Sequence, residues 1–97
     1  MKVLKTSEIK RRLKSVHGWS YTKKGLVKRY EFGDFQQALD FIIRIAPFAN
    51  ELDHHPDIYN SYNRVKLTLF SHEAGGITEL DFKLAEKVDS LVSLGST

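Results

Sequence analysis

Three of the four histidines in this 97-residue chain, His54, His55 and His72, lie between Asp53 and Asp81. Imidazole exchanges protons near neutral pH, so acid/base chemistry is to be sought in this stretch first. It opens on Asp53-His54-His55-Pro56 and reaches His72 at the end of a segment of alternating polarity. Three roles are open to these imidazoles. They could ligate a metal, although adjacent ligands in a His-His pair often point apart, and neither a cysteine nor an HExxH helix accompanies them. They could be structural, capping carbonyls or hydrogen-bonded in the core. Or they could form a metal-free acid/base pocket, in which one group protonates a leaving oxygen and another accepts a proton, oriented by Asp53, Glu51 or Glu73.

The elements that position them belong to one domain, residues 1–97, because a chain this short cannot bury a second independent core. With 41% hydrophobic and 28% charged residues the composition is that of an ordinary globular domain, neither disordered nor fibrous. The absence of cysteine removes disulfides, thiolate zinc sites and thiol nucleophiles, and fits a reducing compartment. No stretch approaches the ~20 apolar residues of a membrane span, and Met1-Lys2-Val3-Leu4-Lys5 leads into a charged segment, so a cytoplasmic protein is expected. A net charge of +3, with Lys10-Arg11-Arg12 and Lys14 as its one dense run, reads as the wet side of a helix; nucleic acid is not an expected partner.

Hydrophobic spacing gives the order αββαββα. Ile9, Leu13 and Val16 recur at helical intervals and predict a helix over Leu4–Val16 with Ser7 as N-cap, stopped by Gly18; His17 beside it is read as structural. Alternation from Trp19 to Phe32 about Lys23-Lys24-Gly25 predicts a β-hairpin, with Trp19 a packing aromatic. Asp34 and Gln37 open the longest helical pattern. Phe35, Ala38, Leu39, Ile42, Ile45, Ala46, Ala49 and Leu52 form one apolar stripe on it, and Phe41, Ile45, Phe48 and Leu52 a second. A sheet covers one side of such a helix, so the other is expected to meet another subunit. Pro47 predicts a kinked but continuous helix, ended by Pro56. Ile58–Tyr62 and Val65–Ser71 read as strands whose adjacency is open. After Gly75-Gly76, Thr78 and Asp81 form a capping box for a last helix carrying Leu80, Leu84, Ala85, Val88, Leu91 and Val92. Tyr62, as a sheet-packing aromatic, and Asp81, as a cap, are both read as scaffold.

The run His54-His55-Pro56, five residues, Tyr62, nine residues, His72, eight residues, Asp81 resembles the signature of the pterin-4a-carbinolamine dehydratases, also called 4a-hydroxytetrahydrobiopterin dehydratases. The resemblance extends to Gly18-Trp19, Phe32 through Phe35, Tyr62-Asn63-Arg64-Val65, Ser71-His72-Glu73 and Gly76-Ile77-Thr78, and so covers nearly the whole chain. It implies an α+β fold with a four-stranded antiparallel sheet and helices packed on one face. It also implies a homodimer or homotetramer, joined through the long central helix or a sheet edge. The implied reaction is loss of water from the 4a-carbinolamine of a tetrahydropterin, giving quinonoid dihydropterin for tetrahydrobiopterin recycling, with no metal or organic cofactor. His54, His55 and His72 would be catalytic, and Asp53, Phe70, Ser71 and Glu73 would join them in binding the pterin substrate.

The sequence departs from the family twice. Asn50 stands where many members carry a charged residue, with Glu51 one step later, about 100° around a helix. Phe70 stands where relatives often have a small polar residue. Two other readings follow: a protein-binding module of the same fold that serves as dimerisation cofactor of a transcription factor, and a pterin-binding paralogue with an altered substrate. Retention of all three histidines favours the enzyme.

Overall fold

Two hairpins and a long helix between them dictate the architecture. The computed structural model describes residues 2–95, and side chains as far as 92. The first hairpin joins β1 (Ser20–Thr22) to β2 (Gly25–Glu31) through Lys23-Lys24; the second joins β3 (Asp57–Ser61) to β4 (Arg64–Leu69) through Tyr62-Asn63. β2 also pairs with β4, so the sheet is antiparallel throughout, in the order β1-β2-β4-β3. Strand adjacency, open in the sequence, is thereby settled: Ile58 faces Leu67 and Asn60 faces Val65. Asn63 secures the middle pairing, since its amide donates to the Phe32 carbonyl at 2.8 Å while its own carbonyl accepts the Phe32 N–H at 2.8 Å.

Register places Leu26, Val65, Leu67 and Leu69 on one face, and all four are buried with helix residues Ile9, Phe41, Ile45, Phe82, Leu84 and Val88. Each large apolar side chain so enclosed contributes about 1.5–3 kcal/mol. The helices are α1 (Thr6–Arg12, tightening to a 3₁₀ turn at Leu13–Ser15), α2 (Phe35–Leu52) and α3 (Glu79–Gly95). The expected order and the α+β class hold. None of the described helices is long and apolar enough to cross a membrane.

Three local expectations are corrected. α1 begins at Thr6, capped at Lys5 instead of Ser7, because Leu4 is held in extended chain by its N–H bond to the Ile77 carbonyl at 2.8 Å. Tyr62 is not part of the packed sheet face: it is 66% exposed and sits in the β3–β4 turn with φ 49°. The second apolar stripe of α2 does not face outward either. Phe41 and Ile45 are buried in the chain's own core, and Phe48 and Leu52 are partly buried against it. The large apolar residues that α2 exposes are Phe35, 46% exposed, and Ile43, 65% exposed. Periodicity relates the stripes to one another, but α3 packing beside α2 decides which side is covered.

α2 is continuous through Pro47, as expected. Proline there removes the donor for the Ile43 carbonyl, and both residues lie on the exposed side, where water can replace the lost bond. The N-terminus of α2 is closed by Asp34, whose carboxylate accepts the Gln37 N–H at 2.8 Å, and by the Gln37 side chain, which accepts the Gly33 N–H at 3.0 Å.

Candidate active site

The end of α2 delivers the first two imidazoles. Asp53 caps the helix in the left-handed region, φ 49° and ψ 42°, with its N–H on the Ala49 and Asn50 carbonyls. Aspartate tolerates this conformation better than most residues, because its short polar side chain satisfies the local backbone. The His54 N–H also returns to the Ala49 carbonyl, at 3.0 Å, so the chain reverses tightly and sends His54 and His55 in different directions. His54 turns inward to α3; His55 stays exposed and folds back on α2.

The third imidazole comes from the loop after β4. Ser71 and Gly76 form an isolated bridge, and the N–H groups of Ala74 and Gly75 both reach the Ser71 carbonyl. This tight closure holds His72 and Glu73 outward, both exposed. The His72 ring meets Phe70 edge-on, with centroids 4.9 Å apart at 60°.

Asp81 joins these parts. Wholly buried, it accepts from His54 Nε2 at 2.5 Å through Oδ1. Its Oδ2 accepts the Thr78 N–H at 2.8 Å and the Ser71 hydroxyl at 2.9 Å. The Thr78 hydroxyl completes the network by donating to Ser71 Oγ at 2.7 Å, leaving each buried oxygen satisfied. A carboxylate can only accept, so His54 carries its proton on Nε2 when neutral, and Nδ1 keeps the lone pair. Nδ1 has no hydrogen-bond partner among the described residues. His55 Nε2 is held at 3.0 Å by Asn50 Oδ1, an acceptor that imposes the same tautomer.

All seven residues singled out in the sequence, Asp53, His54, His55, Phe70, Ser71, His72 and Glu73, line one cavity of about 440 Å³, with Leu52 and Leu80 as apolar walls. That volume lies within the range of about 300–1,000 Å³ usual for small-molecule sites. Imidazoles, carboxylates, a hydroxyl and one aromatic ring share a single cavity wall. Among the described residues no group of three or more His, Cys, Asp or Glu side chains is arranged to hold a metal ion.

The orienting groups differ from those expected. Neither Asp53, Glu51 nor Glu73 hydrogen-bonds an imidazole among the described residues; Asp81 and Asn50 do. Asn50, which stands where many family members carry a charged residue, makes the bond to His55. Asp81 does cap α3 as the sequence indicates, but through one oxygen only, so a cap signature and a histidine partner coincide in one residue. The trace in the sequence was its regular spacing after His72.

Comparison with known proteins follows the same lines. Residues 2–91 match the family model described as Pterin 4 alpha carbinolamine dehydratase. A Sulfolobus acidocaldarius protein provisionally named pterin-4-alpha-carbinolamine dehydratase is 47% identical over 88 residues, which cover 91% of this chain and 97% of that protein. A Thermomicrobium roseum protein with the same provisional name is 48% identical over 81 residues, covering 84% and 87%. Among solved structures, the transcriptional coactivator/pterin dehydratase from Brucella melitensis superimposes with a TM-score of 0.88 at 37% identity, over 93% of this chain and 98% of that one. A pterin dehydratase-like protein identified as a RuBisCO assembly factor in the alpha-carboxysome gives a TM-score of 0.64 at 31% identity, over 77% and 89%.

Proposed function

The chain belongs to the pterin 4 alpha carbinolamine dehydratase family, and from that premise we propose that it is itself a 4a-hydroxytetrahydropterin dehydratase working in tetrahydrobiopterin recycling. The observation that carries the reading is the arrangement of His54 and His55 round one cavity with His72, each of the first two held by a named acceptor. In the reaction the N5 electron pair forms the second N5–C4a bond as the C4a–O bond breaks. The N5 proton passes to a base, the departing hydroxide receives a proton, and the products are water and quinonoid dihydropterin. Proton transfer by positioned side chains contributes about 10²–10⁴-fold to such steps.

His54 is the base. Its Nδ1 takes the N5 proton while Asp81 holds Nε2–H and stabilises the imidazolium that forms, the logic of a histidine backed by a buried aspartate. His55, in its protonated form, gives a proton to the leaving oxygen. His72 binds the pterin beside Phe70 and polarises it. Proton exchange with solvent then resets the two histidines. Asp53, Ser71 and Glu73 complete the walls, with the Ser71 hydroxyl committed to Asp81.

The test is dehydration of chemically generated 4a-hydroxytetrahydropterin, followed by ultraviolet absorbance, with wild type, His54→Ala, His55→Ala and an EDTA-treated sample side by side. Acceleration that survives EDTA and falls in both variants is expected. A His72→Ala variant that lost turnover with unchanged pterin affinity would show that His72 acts chemically instead of as a binding group.

A second reading, a protein-binding module, has in its favour the exposed apolar side of α2 at Phe35 and Ile43 and the names carried by the two structural neighbours. No acceleration by well-folded wild type would move the assignment there, or to a paralogue acting on another pterin. The same side of α2, or a sheet edge, is proposed to join a cytoplasmic homodimer or homotetramer. A monomer by size-exclusion chromatography with light scattering would remove that part of the proposal.

A further inference from the structure

Phe70 and His72 line two cavities. Besides the histidine site, they border a second of about 470 Å³ that opens over the uncovered face of the sheet. We infer that this second cavity is an anion subsite in which Lys23, Lys24 and Lys66 receive a phosphate or carboxylate on the C6 side chain of the substrate. The inference rests on the pterin reading above and adds to it a class of side chain.

Three ammonium groups meet a single carboxylate, Asp57, in the lining of this cavity. Among the described residues, none of the three lysines lies within ion-pair distance of a carboxylate, whereas Lys28, on the covered side, is paired with Asp89. The Lys66 ammonium rests over the Tyr59 ring, 5.7 Å from its centroid, which leaves its charge available to a ligand. A surplus of unpaired positive charge beside a ring-binding site is complementary to an anion on that ring's substituent. An uncharged hydroxyalkyl chain would leave it unmatched.

The backbone brings these charges to the site. Lys66, Thr68 and Phe70 alternate on one face of β4 and its continuation, so Lys66 stands about 13 Å along the strand from Phe70. The turn lysines come closer. Gly25, with φ 136°, lies so near β4 that an added Cβ would fall 2.2 Å from the Leu69 carbonyl oxygen and 3.2 Å from Phe70 Cβ. Only glycine allows that approach, and it seats the Lys23-Lys24 turn against Phe70. A pterin lying against the Phe70–His72 wall would extend its side chain past that wall, between the turn and Lys66.

The experiment compares neopterin with neopterin 3′-phosphate, which differ only in the anion, by fluorescence titration at low and physiological ionic strength; pteroylglutamate supplies the carboxylate arm by calorimetry. For wild type, at least one anionic pterin is expected to bind about tenfold more tightly than neopterin at low salt, as a few exposed charge contacts allow. The ratio should shrink as salt reduces the screening length to about 8 Å. In the triple variant Lys23→Gln, Lys24→Gln, Lys66→Gln the ratio is expected to fall towards one. It should persist in Lys10→Gln, Arg11→Gln, Lys14→Gln, which removes equal charge from the first helix and the turn after it. A larger gain for the phosphate or for the carboxylate identifies which anion is taken. Normal neopterin binding with no gain for either anionic pterin, or a gain that survives loss of the three cavity lysines, would overturn the inference alone. If none of the three pterins bound to wild type that still accelerates dehydration, the inference alone would fall; if wild type neither bound them nor accelerated dehydration, the dehydratase reading would fall and this inference with it.

Discussion

Two carboxylates on α3, Asp81 and Asp89, stand about 12 Å apart along the helix axis, and they gather similar numbers of donors to opposite ends. Asp89 accepts the His17 N–H at 2.9 Å, Trp19 Nε1 at 2.9 Å and the Lys28 ammonium at 3.4 Å, binding the first hairpin and the chain leaving α1 to α3. Those donors are a backbone N–H, an indole N–H and an ammonium group, none of them part of the histidine cavity wall, so the cluster is a strut. Asp81 accepts a backbone N–H, a hydroxyl and an imidazole, and the imidazole has a second nitrogen and a place in a cavity wall. Burial does not separate the two, since both are largely enclosed. The difference lies in the partner: a carboxylate becomes part of a site when what it holds has another end that can exchange protons.

The largest effect is expected from breaking the Asp81 side. Asp81→Asn removes the charge that stabilises a protonated His54 and no longer imposes one tautomer, so kcat should fall by about ten- to a hundredfold with KM little changed. Turnover of 4a-hydroxytetrahydropterin by protein of native circular dichroism measures it, and undiminished turnover would erase the distinction drawn above.

Asp89→Ala should do the reverse. It strands the Lys28 ammonium and the Trp19 indole N–H, at a cost of about 2–4 kcal/mol in urea unfolding, while turnover per folded molecule is retained. Collapse of turnover in folded Asp89→Ala protein would make both carboxylates part of the site.

A smaller effect tests how far a strut at the surface matters. Arg12 pairs with Glu79 through both its terminal nitrogens and lies over the Phe82 ring, 4.8 Å from its centroid. Arg12→Ala should cost about 1 kcal/mol or less, because Glu79 is 53% exposed and screened by water. The Arg12 hydrogen bond holds the Glu79 carboxyl below its usual range. Its contribution is therefore present above the unfolded carboxylate range and lost as pH falls through the folded value. The stability gap between wild type and variant should accordingly narrow on acidification, as thermal unfolding at a series of pH values would show.

Least of all is expected at Tyr30, beside the Asp89 cluster. Its buried hydroxyl has no hydrogen-bond partner among the described residues, and burial, with Asp89 nearby, pushes it above the usual phenol range and keeps it neutral. Tyr30→Phe should leave stability unchanged or raise it by up to about 1 kcal/mol in the same urea assay. A clear loss would mean that the hydroxyl is satisfied after all.

Much of this was legible without coordinates because its causes are local. Asp34 and Gln37 mark where α2 begins, Lys23-Lys24-Gly25 where the first hairpin turns, and Thr78 with Asp81 where α3 starts, each within four residues of chain. His54, His55 and His72 could be singled out by type and position, and the cavity does collect them. Local signals misled where distant chain intervened: Leu4 is drawn out of α1 by Ile77, and the side of α2 left open is settled by α3. The sequence by itself determined the order of the elements and the imidazole-bearing segments, since caps, turns and alternation are set by neighbours a few positions away; the α+β class was implied by the family resemblance. Only the tertiary structure decided that His54 is held by Asp81, 27 residues on, that Asn50 serves His55, and that β2 and β4 lie side by side. Those pairings depend on which apolar faces meet in the core, and spacing along a chain does not specify how two distant segments pack.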